Sequence, residues 1–287
     1  MDIEHTAIER LKIASDLSLS YYDKPLDICY SGGKDSEVLI ILAKRAGIPF
    51  AVQHSHTTVD APPTVQHIRK VFRNLELDGI KTIYTMPSLT MWQLIVKKMF
   101  PPTRLVRYCC SDIKETYGNN SHVVTGVRKA ESVKRNYRNV FETITSNKNN
   151  KILLGDNDDR RKLTEVCMQR GRTVTNAIID WTDTDVWDFL DDAKADINPL
   201  YGMGFKRVGC IGCPMASSCR KREFSLFPTY KRMYIRTFDK MLEARKAAGL
   251  VIPFHWTSGE NVFRWWMEEK FHPDQVNMFE EENYDKV

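Results

Sequence analysis

Residues 26–47 read LDICYSGGKDSEVLIILAKRAG: a short apolar run, a glycine-bearing turn, and a second apolar segment that stops at Gly47. LDICY has the dense apolar character of a strand covered on both faces. From Ser36 onward, EVLIILAKRAG predicts a buried helix closed by Gly47. Between them lies SGGKDS. Two glycines let the backbone come close to an anion, and successive N–H groups at a helix start give a positive field. Lys34 adds a mobile charge. The spacing is neither that of the G-x4-GK[ST] loop nor that of G-x-G-x-x-G. Six specified residues between a strand and a helix make Ser31, Gly32, Gly33, Lys34, Asp35 and Ser36 candidates for binding phosphate.

Outward from this turn the chain keeps alternating. Residues 3–21 carry Ile8, Leu11, Ile13, Ala14 and Leu17 at helical spacing and predict a lead-in helix. PFAVQHS, IKTIYTM and HVVTG read as further strands. TVQHIRKVFRNL, after Pro62-Pro63, and MWQLIVKKMF read as helices. Strand–helix alternation predicts right-handed βαβ units, and so an α/β, Rossmann-like parallel sheet with helices on both faces. Residues 139–173, rich in Asn, Lys, Asp and Arg, read as a loop or insertion. TNAIIDWTDTDVWDFL reads as a strand and then a helix capped by Thr182 or Asp183. A long basic helix over about 223–249 and a short one in NVFRWWMEEKF complete a helical C-terminal extension. The domains expected are 1–220, including the cysteine cluster, and 221–287 packed on it. The acidic end, EEENYDKV, reads as frayed.

Composition narrows the class. The chain has 287 residues, 42% hydrophobic and 28% charged, enough for a large core. Mean hydropathy is −0.41, and no apolar run approaches 18 residues, which excludes a helical membrane span. The opening MDIEHTAIERLK alternates charges where a signal peptide needs an apolar stretch, so a cytoplasmic location is expected. The net charge of +5 hides two basic stretches. Residues 104–138 hold eight Lys or Arg against three acids, and residues 220–246 hold nine against three. Phe224, Phe227, Tyr230 and Tyr234 interleave the second, as base stacking or core packing would each produce. Trp265-Trp266 reads as packing.

Seven cysteines stand out. Cys29, inside LDICY, and Cys167, alone in TEVCMQR, read as small packing residues. The other five form a pair, Cys109-Cys110, and a C-x2-C-x5-C set, Cys210, Cys213 and Cys219. In a cytoplasmic chain such sets bind metal or do redox chemistry. Gly209, Gly212 and Pro214 shape a turn that presents two thiolates to one centre. Spacing alone leaves structural zinc and an iron–sulfur cluster equally open.

SGGKDS resembles the pyrophosphate-binding loop of the adenine-nucleotide α-hydrolase (PP-loop ATP pyrophosphatase) superfamily. HTTVDAPPT, RYCCSDIKE, VTGVRKAESVKR and NPLYGMGFKRVGCIGCP resemble motifs of its phosphoadenylyl-sulfate (PAPS) reductase family, over roughly residues 25–225. The resemblance implies a nucleotide at the carboxyl edge of the sheet. It favours a 4Fe-4S cluster over zinc, held by Cys109, Cys210, Cys213 and Cys219, with Cys110 as spare or replacement. Reductases of activated sulfate usually lack the Lys-Asp pair and carry a catalytic cysteine near the C-terminus. Lys34 and Asp35 are present here, and no cysteine follows Cys219. The pair suits ATP with Mg²⁺, Lys on the phosphates and Asp toward the metal. Lys34, Arg128 and Arg135 are the candidates to neutralise phosphate charge, with Glu131 orienting Arg135. Lys34, Asp35 and Arg128 are the catalytic candidates.

His54 and His56 alternate with Ser55 at the end of the second strand; adenosine contact and plain core or surface filling each account for them. Asp60 is expected to cap the next turn and touch nucleotide. The reading is an enzyme that cleaves ATP to AMP and pyrophosphate, adenylating an acceptor, coupled to iron–sulfur-dependent sulfur transfer. DNA or tRNA is the candidate acceptor, with a sulfur or electron donor protein as partner. The iron–sulfur subunits of DNA phosphorothioation systems are similar in loop and cysteine pattern but longer. Two alternatives stand beside it. One is a PAPS or adenylyl-sulfate (APS) reductase making sulfite. The other is a non-catalytic nucleic-acid-binding or sensor module with a structural cluster.

Overall fold

The computed structural model describes residues 2–114, 121–144, 172–216 and 219–268. Six strands form one sheet among these residues: β1 (Leu26–Cys29), β2 (Phe50–Ser55), β3 (Thr82–Thr85), β4 (His122–Val124), β5 (Phe141–Ile144) and β6 (Arg172–Thr175). The order is β3-β2-β1-β4-β6-β5, with every pairing parallel except β5 against β6. Helices α1 (Ile3–Tyr22), α2 (Lys34–Ala46), α3 (Pro62–Leu77), α4 (Met91–Lys98), α5 (Asp183–Asp192) and α6 (Pro199–Gly202) follow in the chain. The mostly parallel sheet surrounded by helices is the Rossmann-like α/β fold expected.

Apolar side chains of the central strands are buried in the core. Leu26 and Ile28 of β1, Val52 of β2 and Val124 of β4 are all buried. Leu39 and Leu42 of α2, Leu11 of α1 and Trp181 join them in one core. The strand order reverses between β1 and β4, so the loops after these two strands diverge and leave a crevice at the carboxyl edge. SGGKDS leaves β1 at that point, and Gly126 and Arg128 leave β4 there.

Four elements differ from expectation. Helix α2 starts at Lys34, not Ser36, with Gly33 as its N-cap. The Ser36 hydroxyl turns back to donate to the Gly33 carbonyl (2.8 Å), which leaves it inside the first turn. The segment read as a loop from 139 contains β5, whose register on β6 pairs Phe141 with Thr175. TNAIID contributes only its first residue to a strand, since β6 ends at Thr175 and Asn176 turns to bond Asn139 and Val140. The basic helix is two helices, α7 (Cys219–Leu226) and α8 (Pro228–Ala247), because Pro228 has no N–H to continue a helix and starts a new one. Cys167 and EEENYDKV lie outside the described residues.

The described chain divides into two compact units, Met1–Ser88 with Tyr108–Ile211, and Leu89–Arg107 with Gly212 onward. In this division α4 belongs to the second unit. That unit is helical: α4, α7, α8 and α9 (Gly259–Glu268). Its centre is aromatic, with Tyr234 4.7 Å from Trp266, Trp92 4.9 Å from Tyr234 and Phe224 5.1 Å from Phe263, ring centre to ring centre. Phe224, Tyr234 and Trp266 are buried, so packing is their role, and Phe227 and Tyr230 are half-buried. Arg220 is buried as well, lying 4.0 Å over the Trp266 ring and donating to its carbonyl. No described helix is long and apolar enough to cross a membrane.

Candidate functional site

The Ser31–Ser36 loop is held from beneath. Gly32 has φ +74°, and a Cβ there would lie 3.0 Å from Ile68, so glycine is needed for both reasons. Its carbonyl accepts from the Asn198 amide (2.9 Å), which also reaches Thr64 (3.1 Å). The Lys34 backbone N–H donates to the Tyr201 hydroxyl (2.9 Å), and burial pushes that phenol up to about 12. The Ser31 N–H donates to Ser36 Oγ (3.2 Å). Asn198 and Tyr201 come from the α6 turn, so NPLYG, 167 residues downstream of the loop, braces it.

The charges of the site form one network. Lys34 is buried at 7% exposure, and its ammonium donates to Asp35 (3.0 Å) and to Asp183 Oδ1 (3.0 Å). Arg128, at 1% exposure, donates from Nε to Asp35 Oδ1 (2.6 Å), from Nη2 to Asp183 Oδ1 (2.7 Å) and from Nη1 to the Trp181 carbonyl (3.3 Å). Burial alone would lower the Arg128 guanidinium, but Asp35 and Asp183 outweigh it and hold it above its usual value. The hydrogen bonds from Lys34 and Arg128 hold the Asp183 carboxyl below its own. Two cations therefore share two carboxylates, in charge-assisted bonds among the stronger a protein makes. Asp183 is the exposed member, its side chain 73% accessible.

Beside this network a cavity of about 360 Å³ is lined by Lys34, Asp183, Trp187, Gly204, Phe205 and Lys206. A larger hollow of about 460 Å³, bordered by Pro25, Phe50 and Lys81, lies at the starts of the strands, away from all of these groups. The carboxyl edge, where parallel sheets bind ligands, is the candidate. Arg135 is half-buried and pairs with Glu131, which also accepts the Arg128 backbone N–H (3.0 Å).

The family model for the phosphoadenosine phosphosulfate reductase domain matches residues 26–216, more than half of the chain. The chain belongs to that family. The matched span includes the loop, Arg128, Asp183 and the cysteines 109, 110, 210 and 213; Cys219 lies beyond it. Two uncharacterized proteins of Methanocaldococcus jannaschii are 25% identical over 258 residues and 29% identical over 206. The matches cover 84% and 67% of this chain but 55% and 36% of those proteins, so the chain spans about half their length or less. An adenosine 5'-phosphosulfate reductase of Burkholderia cepacia is 38% identical over 47 residues, 16% of this chain and 19% of that one. Among solved structures, phosphoadenylyl-sulfate reductase of Candida auris in a phosphate complex gives a TM-score of 0.49 at 17% identity, over 71% of this chain and 88% of that one. The FMN adenylyltransferase of Candida glabrata with FMN and an ATP analogue gives 0.44 at 14%, over 72% and 64%.

Within this reductase-domain chain, several site residues escape a reading by motif. Of the two cap candidates, Thr182 is the N-cap of α5, and Asp183 instead pairs with Lys34 and Arg128. Gly126 sits so close that a Cβ would be 3.0 Å from the Asp35 carbonyl carbon, fixing the start of α2 against the end of β4. The cysteines divide between the units: Cys109, Cys110 and Cys210 in the first, Cys213 and Cys219 in the second. Cys210 is buried, and Cys109, Cys110, Cys213 and Cys219 are half-buried. The Lys114 ammonium is held well above its ordinary value by Cys210 first, then Asp60 and Cys110. Such a cation stabilises thiolates at Cys210 and Cys110, the form that ligates soft metals. Cys29, half-buried at the end of β1, accepts from the Gln53 amide (3.1 Å).

Proposed function

We propose that this chain binds ATP with Mg²⁺ at the Ser31–Ser36 loop and cleaves it between the α- and β-phosphates. The single observation carrying this reading is the convergence of buried Lys34 and Arg128 on one pair of carboxylates, at a glycine loop on the switch point. Both cations are buried, and the carboxylates they share are Asp35 and the exposed Asp183. A polyphosphate displaces Asp183, the cheaper partner to move, and inherits its two donors. Asp35, and Asp183 once released, are oxygen ligands of the kind Mg²⁺ takes. An acceptor oxygen attacks the α-phosphorus, the bond to the bridging oxygen breaks, and pyrophosphate leaves with its charge held by Lys34 and Arg128.

The adenylated acceptor is then open to displacement of AMP by a sulfur nucleophile from a donor protein. Cys109, Cys210, Cys213 and Cys219, with Cys110 as spare, are the proposed ligands of a 4Fe-4S cluster. Such a cluster, when bound, supplies thiophilic and electron-transfer chemistry. Nucleic acid is the proposed acceptor, resting on the basic stretches 104–138 and 220–246.

Anaerobic protein incubated with tRNA, DNA or sulfate and ATP separates the readings. Pyrophosphate release that depends on one acceptor and is lost in Lys34→Ala is expected. If ATP is untouched with every acceptor while PAPS or APS yields sulfite, the reductase alternative replaces this one.

A further inference from the structure

The end of β2 and the loop after it hold three side chains of metal-ligating type that the nucleotide network does not use. His54 ends the buried part of β2, His56 follows it, and Asp60 closes the turn. One ligand atom from each lies within 4.8 Å of the others. His54 is 96% buried, at 4% exposure. Its Nδ1 is hydrogen-bonded to the Tyr30 carbonyl (2.9 Å), and Nε2 is buried with no partner among the described residues. A carbonyl accepts only from N–H, so the proton sits on Nδ1 and the Nε2 lone pair is left facing the interior. That is how a carbonyl prepares a histidine for a metal.

The other two members are equally set. His56 Nδ1 lies 2.9 Å from the Tyr84 hydroxyl and 3.2 Å from Asp60 Oδ2. Asp60, buried at 7%, accepts the Thr57 backbone N–H (2.8 Å). Burial would raise its carboxyl, but His56 and Thr57 outweigh this and hold it at about 2, so it is ionised under all ordinary conditions.

We propose that His54, His56 and Asp60 form a binding site for a divalent first-row transition ion, of the zinc or ferrous class. Two imidazoles and one carboxylate are borderline donors that select such ions over Mg²⁺ or Ca²⁺, which take oxygen. Three protein ligands leave a coordination position open. Bonds of about 2.1 Å span ligand atoms roughly 3.4 Å apart in a tetrahedron, so an ion draws the three side chains inward. Lys114 opposes binding: its ammonium is attracted to Asp60 as well as to Cys210, and an entering cation must push it aside. Cys210 is the backbone bridge partner of Asp60, which places this site next to one proposed cluster ligand but without any thiolate of its own. The inference does not rest on ATP cleavage or on the cluster.

The test is zinc titration of the metal-free, full-length chain, read by ¹⁵N NMR of the histidine rings and by stoichiometry. One equivalent is expected to move the His54 Nε2 resonance strongly while Nδ1 keeps its proton. His54→Gln is expected to weaken that equivalent at least about tenfold, since even outer-sphere losses cost about 10–100-fold. Cys213→Ser with Cys219→Ser is expected to leave it in place. Cobalt at the site should give d–d bands without thiolate charge transfer. Unmoved His54 ring nitrogens in the wild-type protein, or an equivalent lost only with the cysteine variants, overturns the proposal. The wild-type spectrum decides even where a variant fails to fold.

Discussion

Arg128 and Arg135 lie one short segment apart, yet the structure gives them different work. Arg128 joins Asp35, Asp183 and the Trp181 carbonyl in a buried place, using three nitrogens of its planar fork. Lysine has one nitrogen and cannot span them. Arg128→Lys is expected to cost about 3 kcal/mol in urea unfolding, because a buried ammonium in its place cannot make all three bonds and is left partly unpaired. Arg135→Lys, on the exposed Glu131 pair, should stay within about 0.5 kcal/mol. Lys34→Ala should retain the fold but lower ATP turnover on the order of 100-fold or more, as loss of a buried phosphate donor does. The loop and Arg128 are legible in the sequence because strand-end glycines and a basic residue after a strand are local signals. Asp183 is not. Its partners lie 149 and 55 residues away, so nothing near WTDTD marks it as other than a cap.

At the level of elements, two glycines with positive φ separate backbone strain from packing. Gly47, φ +65°, closes α2, and a Cβ there would meet nothing within 4 Å. Gly212, φ +74°, would place a Cβ 2.6 Å from Phe224 Cζ and 2.9 Å from Trp266 Cη2. Gly47→Ala should therefore cost about 1 kcal/mol, the left-handed penalty alone. Gly212→Ala adds overpacking of the aromatic core and should cost about 3 kcal/mol or more, with a loss of near-ultraviolet dichroism from the second unit. Most elements were legible because apolar periodicity and proline or glycine punctuation coincide, as at Pro62 and Gly47. Strand β5 was not, since its pairing on β6 comes from the fold and not from an alternating pattern of its own. The break at Pro228 was visible in the residue yet hidden by the basic periodicity on either side.

For the molecule as a whole, buried histidines set the acid limit. His122 in β4 is fully buried, bonded to Thr175 (2.7 Å), and burial lowers it to about 4; burial lowers His54 too. A depressed histidine favours folding in its neutral form, so this stability is present above the unfolded value of about 6.5 and is lost as pH falls toward 4. For His122 the loss is on the order of 3 kcal/mol, and it is complete near pH 4. The melting temperature should fall between pH 6.5 and 4.5, less steeply in His122→Gln. A slope unchanged by that variant would remove His122 from the account. Asp60 acts in a separate window: its contribution, present above about 4, is lost only as pH falls toward 2.

The whole-molecule claim is that the loop, its two buried cations and its two carboxylates serve ATP cleavage at the α-phosphate. Its most direct test follows ATP labelled at the α-phosphate through a single turnover on anaerobic, full-length protein with Mg²⁺ and each acceptor. Label appearing as AMP or an adenylated acceptor, with one pyrophosphate per label, is the outcome the account predicts. Label appearing as ADP with inorganic phosphate, or ATP left whole while an activated sulfate is reduced to sulfite, would contradict it.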